Sequence, residues 1–316
     1  MLLDLLGKIV RSPRSTPPDP ASTPHTSPAP ATEVAAVMPA DAAQKFVWQR
    51  LSESGEIDYD STADRRDNLV PLLSFEPRFA LDIGCAAGGG ARLVKEAFPS
   101  CVLWGIEPDA RAAEAASACM DRVITGSFES VDWAAQGVIA GAVDTVFLLD
   151  VLEHMYDPWR TLANLRSFVS PDAQLVISLP NVRNMFIIRD LMNGYWHYRD
   201  FGLLDATHIR FFTEYEALRL IYQTGFRVER RSFTMCAGVG PIYEKIKDQP
   251  FPQTLKFEKG SLVVDNLAEL QSFSVLQHLF LIRPAERDSL NAGEMDLAQG
   301  SHPATFAMGA NVPGVV

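Results

Sequence analysis

Three groups of residues in this chain have the types and spacing to do chemistry. The first is the run from Leu81 to Gly90, LDIGCAAGGG, in which an acid, Asp82, leads into a loop of small residues. Gly84 and Gly88 let a backbone approach a ligand closely. A helix starting at that loop aims its free N–H groups at the same spot, which favours an anion such as a carboxylate. The second group is Glu107 in WGIEPD, 25 residues beyond Asp82. A carboxylate there can accept from both hydroxyls of a ribose, in charge-assisted bonds of about 1.5–3 kcal/mol each. The third comprises His154 in DVLEH and His208 in LLDATHIRFF. An imidazole changes charge near neutral pH and suits general-base work worth roughly 10²–10⁴ in rate. His208 is the favoured base, against a reading in which His208 and Arg210 bond to Asp205 or to backbone and only shape the loop. For His154 two further readings stay open: with Asp150 and Glu153 it offers oxygen and imidazole donors of the kind that hold Mg²⁺ or Mn²⁺, or Glu153 and His154 cap the following helix.

Such residues need a frame, and the frame is legible. PRFALDIG, CVLWGIE, RVIT, VDTVFLLD and QLVISLP are short, continuous apolar runs ending at turn signals, and read as buried strands. Helical patterns lie between them. Asp157 caps one that carries Pro158 at its first position, an inward stripe of Trp159, Leu162, Leu165 and Val169, and a Ser170-Pro171 stop. Thr213 and Glu216 form a capping box for another, which ends at Gly225. Alternation of this kind makes a parallel sheet with helices on both faces, and ligands of such sheets sit at the carboxyl ends of the strands. That is where Asp82, Glu107 and Asp150 fall.

The loop does not follow the G-x-G-x-x-G of dinucleotide folds, because Ala86 stands at the second glycine. A nicotinamide-dependent oxidoreductase is therefore disfavoured. The acid followed by G-C-x-x-G resembles the first motif of the class I S-adenosylmethionine-dependent methyltransferases. Glu107 matches that family's ribose-binding acid, GSFES from Gly126 to Ser130 its adenine loop, VDTVFLLDVLEHMYDPW its fourth strand and the loop beyond, and LVISLPNV its fifth strand. The resemblance runs from about Asp41 to Arg283. It implies a Rossmann-like, doubly wound sheet of seven strands, mostly parallel with the last strand antiparallel, and S-adenosylmethionine as cofactor. It also implies that Asp82 and the backbone around Gly84, Cys85 and Gly88 hold the methionine end, that Phe128 packs on adenine, and that Asp150 lines the pocket near the methionine. Ser127 stands where related sequences often carry Asp, so Glu129 or a backbone carbonyl is left to meet the adenine amino group. The phrase around His208 resembles a subgroup associated with glycan and cell-envelope chemistry, which points to O-methylation of a sugar hydroxyl. The Asp-x-x-Glu-His cluster resembles quinone-type O-methyltransferases and points to a phenolic acceptor instead. A binding module that has kept the fold without catalysis is the third reading.

Between the fifth strand and the last major helix lies an aromatic and arginine-rich stretch in which Tyr195, Trp196, Tyr198 and Arg199 either line an acceptor pocket or roof the cofactor. A further insertion, 234–271, separates FRVERRSF from SVLQHLFLIRP and reads as a lid or a subunit contact.

The remaining features set limits. A net charge of −11 over 316 residues, with no basic run, disfavours nucleic acid as partner. Cys85, Cys101, Cys119 and Cys236 include no C-x-x-C pair, so they indicate neither zinc nor a disulfide framework and fit a cytoplasmic setting. No apolar run reaches the roughly 18 residues of a membrane span. Residues 1–40, with eight prolines after Arg11, read as a disordered tether, 41–285 as the folded domain and 286–316 as a flexible tail. Leu2, Leu5, Leu6 and Ile9 at helical spacing make residues 1–10 either a frayed end or a short amphipathic contact for a membrane or a protein.

Overall fold

The computed structural model describes residues 68–235 and 238–299. The expected tether, the helix opening at Asp41, Cys236 and residues from 300 onward lie outside the described residues.

The strands are β1 (Phe79–Ile83), β2 (Val102–Glu107), β3 (Arg122–Thr125), β4 (Thr145–Leu149), β5 (Gln174–Pro180), β6 (Phe226–Met235), a hairpin of β7 (Gln253–Lys256) and β8 (Ser261–Val264), and β9 (Val275–Pro284). The helices are α1 (Leu69–Leu72), α2 (Gly89–Ala97), α3 (Ala110–Ala116), α4 (Pro158–Phe168), α5 (Met185–Met192), α6 (Glu214–Gln223), α7 (Gly240–Ile246), α8 (Leu267–Ser274) and α9 (Ala292–Gln299). Seven strands form one sheet in the order β3-β2-β1-β4-β5-β9-β6. β9 runs antiparallel to both β5 and β6, while the others are parallel. This is the mostly parallel, Rossmann-like sheet expected from the strand-helix alternation.

Strand periodicity explains why the sheet has two cores. Leu175, Ile177 and Leu179 face one side with Val146, Leu148, Leu162, Leu165, Leu220 and Ile221, while Val176 and Phe147 face the other with Ala80, Leu103, Val94 and Leu281. Every residue of β5 is buried, as a central strand covered on both faces requires. Helix starts follow local chemistry. The Asp157 carboxylate accepts from Arg160 N–H at 3.0 Å, Asp109 from Arg111 and Ala112 N–H at 2.9 Å, and Thr213 Oγ1 from Glu216 N–H at 3.3 Å.

The insertion at 234–271 is a folded cap with its own apolar cluster. Val239, Val264, Leu270 and Phe273 pack on Met185 of α5. Asn181 fastens it to the end of β5, donating to Ser272 O at 2.8 Å and Val275 O at 3.0 Å, and Arg183 pairs with Glu269 at 2.8 Å. The flexible tail expected from Glu286 is regular over its first part. α9 forms because Asn291 and Glu294 bond reciprocally, N–H to Oε2 at 2.9 Å and N–H to Oδ1 at 3.0 Å. Glu294 also accepts from the Tyr222 hydroxyl of α6 at 3.3 Å. Small polar residues hid this capping box. Among the described residues no helix is long and apolar enough to cross a membrane.

Candidate active site

The strand order reverses between β1 and β4, so their carboxyl ends open the crevice that receives ligands in such sheets. Gly84 leaves β1 with φ +72°, and a Cβ on it would lie 2.3 Å from Val151 Cγ2. The loop after β1 thus packs directly on the loop after β4. Gly88, at φ +82°, meets the end of the α3 segment, where a Cβ would lie 2.4 Å from Cys119 Sγ. Gly89 has no heavy atom within 4 Å of its Cβ position, leaving the first turn of α2 open.

Glu107 ends β2 and is 9% exposed. Its Oε2 accepts from Ala86 N–H and its Oε1 from Asp109 N–H, each at 2.9 Å. Two backbone donors fix the carboxylate in place and leave each oxygen further acceptor capacity, which fits a vicinal diol such as ribose. Ala86 takes φ +45° to reach it. Asp82 is buried at the end of β1, beside Gly90. Cys85 stands in the same loop, but its sulfur is turned under β2, where a Cβ on Gly105 would lie 2.6 Å from it. Burial, with Asp82 and Glu107 nearby, pushes its thiol pKa up. Only the backbone of Cys85 is left for a ligand.

Asp150 follows β4 with φ +58°, a left-handed conformation uncommon for a residue with a side chain. Ser178 of β5 secures it. The serine hydroxyl donates to Asp150 Oδ1 at 2.7 Å and accepts from Asp150 N–H at 2.9 Å. Sequence reasoning passed over Ser178, though a lone hydroxyl within LVISLP was a signal. Phe128 is 5% exposed and packs with Trp133 and Phe168 at centroid distances of 5.4 and 5.7 Å, so much of its ring serves the core. The aromatic trio gains more by excluding water than an exposed ring would. Glu129 accepts from Thr161 Oγ1 and lines a groove of about 510 Å³ with Met155, Tyr156, Asp157, Arg160 and Asn164.

The two candidate bases, 54 residues apart in sequence, are neighbours. The His154 and His208 rings meet edge to face at 4.7 Å between centroids. Their burial differs: His154 is exposed on the cleft rim, while His208 is 8% exposed and lies 3.9 Å through Nε2 from Glu153 Oε1. Burial, helped by the neighbouring His154, lowers the His208 pKa and keeps it neutral at pH 7. The turn Asp205–His208 holds the pair. His154 Nδ1 lies 3.0 Å from Thr207 Oγ1 and 3.3 Å from Thr207 O, Thr207 Oγ1 donates to Asp205 Oδ1 at 2.7 Å, and His208 Nδ1 lies 3.3 Å from Leu203 O. Thr207 was not singled out by sequence reasoning; its place beside His208 was the only hint. One ligand atom each from Glu153, His154 and His208 falls within 4.8 Å of the others. The set that the resemblance implied was Asp150 with Glu153 and His154; the three that converge are Glu153, His154 and His208, while Asp150 bonds Ser178. Asp157 is the cap of the following helix, and the Glu153 carbonyl accepts from Ile209 N–H at 2.9 Å and Arg210 N–H at 3.0 Å.

The segments that carry and precede the pair expose several aromatics. Tyr156, Tyr195, Tyr198, Phe201 and Phe211 are exposed, and the Arg210 guanidinium lies 5.1 Å above the Tyr156 ring. Trp196 is partly covered by Phe211 at 5.3 Å. Arg199 contributes through its backbone, which bonds Leu204 O and Ala206 N–H at 2.9 Å and clips the Asp205 turn.

Comparison with known proteins agrees with this geometry. Residues 59–230 match a family model described as a methyltransferase domain. A trans-aconitate 2-methyltransferase from Methylobacterium radiotolerans is 26% identical over 112 residues, 35% of this chain and 41% of that protein, so the match spans under half of the relative's length. The crystal structure of an S-adenosylmethionine-dependent methyltransferase from Archaeoglobus fulgidus is similar in fold, with a TM-score of 0.50 at 16% identity, over 75% of this chain and 99% of the other. The chain belongs to the methyltransferase-domain family of class I S-adenosylmethionine-dependent enzymes. It is a methyltransferase, and its fold implies S-adenosylmethionine as the methyl donor.

Proposed function

We propose that the enzyme methylates an oxygen, and that the acceptor is a sugar hydroxyl on a glycan or glycan precursor. The observation that carries this is the exposed imidazole of His154 just past β4, held by a turn that follows a segment exposing Tyr195, Tyr198 and Phe201. The relative named above acts on trans-aconitate, whose carboxylates are already deprotonated at neutral pH. A hydroxyl needs a base, and the histidine pair is one. Aromatic faces beside polar groups suit a sugar ring, which has apolar C–H faces and hydroxyl edges.

In this reading Asp82, Glu107 and the backbone of Gly84, Cys85 and Gly88 hold the cofactor, with Asp150 at the methionine end. S-adenosylmethionine, when bound, supplies a methyl group on a positively charged sulfur with a neutral thioether as leaving group. The chain does the rest by positioning and by proton removal. His154 takes the acceptor's hydroxyl proton as its oxygen becomes the nucleophile. The sequence favoured His208 for this role; its burial moves the role to His154 and leaves His208 as a neutral wall behind it. A second reading rests on the convergence of Glu153, His154 and His208, which fits a divalent cation holding a phenolic or quinone-like acceptor. We place the enzyme in the cytoplasm.

Labelled S-adenosylmethionine added to extracts of a deletion strain, with purified enzyme, tests both readings. Label in a glycan fraction, undiminished by a chelator, is the expected result. A His154→Gln variant should bind cofactor normally and lose about 10²-fold or more in turnover. Label only in protein or nucleic acid contradicts the proposal, and chelator-sensitive label in a phenolic compound selects the second reading.

A further inference from the structure

We propose that Thr207 and Asp205 are positioning residues that fix the tautomer of His154, placing its ring proton on Nδ1 and its lone pair on Nε2. Two acceptors converge on Nδ1. The Thr207 carbonyl, 3.3 Å away, can only accept. The Thr207 hydroxyl, 3.0 Å away, has a single proton, and that proton is committed to Asp205 Oδ1 at 2.7 Å. The hydroxyl must therefore accept from the ring as well, and the chain reads His154 Nδ1–H to Thr207 Oγ1–H to Asp205 carboxylate. The carboxylate is itself held, since the same Oδ1 accepts from Thr207 N–H at 2.8 Å. A charged acceptor at the far end strengthens each bond in such a chain.

His208, the next residue, follows the same rule by a different route. Its Nδ1 faces the Leu203 carbonyl at 3.3 Å, so its lone pair is also on Nε2. One turn, Asp205-Ala206-Thr207-His208, thus carries one imidazole and the groups that orient the other, and the backbone of Arg199 clips that turn at both Leu204 and Ala206. The tautomer stands on these contacts alone. Its use, an Nε2 ready to receive the acceptor's proton, rests on the reading of His154 given under Proposed function.

The test uses the full chain with ¹⁵N-labelled histidine and long-range proton–nitrogen spectra at about pH 8.5, where imidazoles are neutral. The His154→Gln spectrum identifies the His154 signals among the six histidines. Wild type should show a protonated Nδ1 and an unprotonated Nε2 for His154. Thr207→Val should shift His154 toward a mixture of tautomers and lower kcat about tenfold with little change in KM for S-adenosylmethionine, the loss of roughly one hydrogen bond. Thr207→Ser, which keeps the hydroxyl, should restore both the spectrum and the rate. An unprotonated Nδ1 in wild type, or a Thr207→Val spectrum identical to wild type, overturns the proposal. If the spectra behave as stated while His154→Gln retains full turnover, the tautomer assignment holds and the base assignment under Proposed function falls.

Discussion

At the level of single residues, the crevice depends on positions where a side chain is either required or excluded. Gly84 is the clearest exclusion, because a Cβ would meet both a left-handed backbone and Val151 Cγ2 at 2.3 Å. Left-handed strain of about 1–2 kcal/mol adds to overpacking of about 1–3 kcal/mol. Gly84→Ala should therefore lose about 2–4 kcal/mol in urea denaturation. Gly89→Ala, whose Cβ would have no heavy atom within 4 Å, should stay within about 0.5 kcal/mol of wild type. Equal losses in the two variants would show that the loop after β1 does not pack on the loop after β4. The placement of Asp82 and Glu107 at the ends of β1 and β2 was legible because each closes a short apolar run at a turn signal. The packing of Phe128 on Trp133 and Phe168 was not, because an aromatic next to a loop carries no local sign of its neighbours.

Elements decide which of these residues meet. The five parallel strands and the helices α4 and α6 were readable from period, caps and stops, since each signal is local. Contacts made across the sheet were not. His154 follows β4 and His208 precedes α6, and only the parallel placement of β4 beside β5, with the chain returning from β5 across the cleft, brings the two rings to 4.7 Å. The same return exchanged His208 for Asp150 in the cation-type cluster. The cap over 234–271 was visible as an insertion but not as a folded unit, because its short helices α7 and α8 gain their stability from Met185 and from each other, not from propensity. α9 was hidden in the same way, since its capping box lies in a stretch whose composition resembles a tail.

For the molecule as a whole, two buried histidines make stability depend on pH. Burial lowers the pKa of His208 and of His278 below the ordinary 6.5, and His278 Nε2 has no hydrogen-bond partner among the described residues. As pH falls through 6.5, the unfolded chain takes up protons that the folded chain refuses, so folding stability drops with falling pH. The loss ceases to grow once the lowered folded-state pKa values are passed, and above about pH 7.5 the two groups contribute nothing. Urea midpoints should fall between pH 7 and pH 5, and His278→Leu should flatten that fall; a wild-type midpoint independent of pH in this interval would contradict the account. In the proposed function one crevice, built by β1, β2 and β4, holds S-adenosylmethionine through Glu107. Calorimetric titration with S-adenosylmethionine, S-adenosylhomocysteine and NAD, on wild type and on Glu107→Ala, tests it most directly. Micromolar binding of both sulfur compounds, none of NAD, and at least tenfold weaker binding in the variant are expected, as loss of charge-assisted bonds to two hydroxyls requires. Binding of NAD alone, or of the sulfur compounds equally by both proteins, would contradict it.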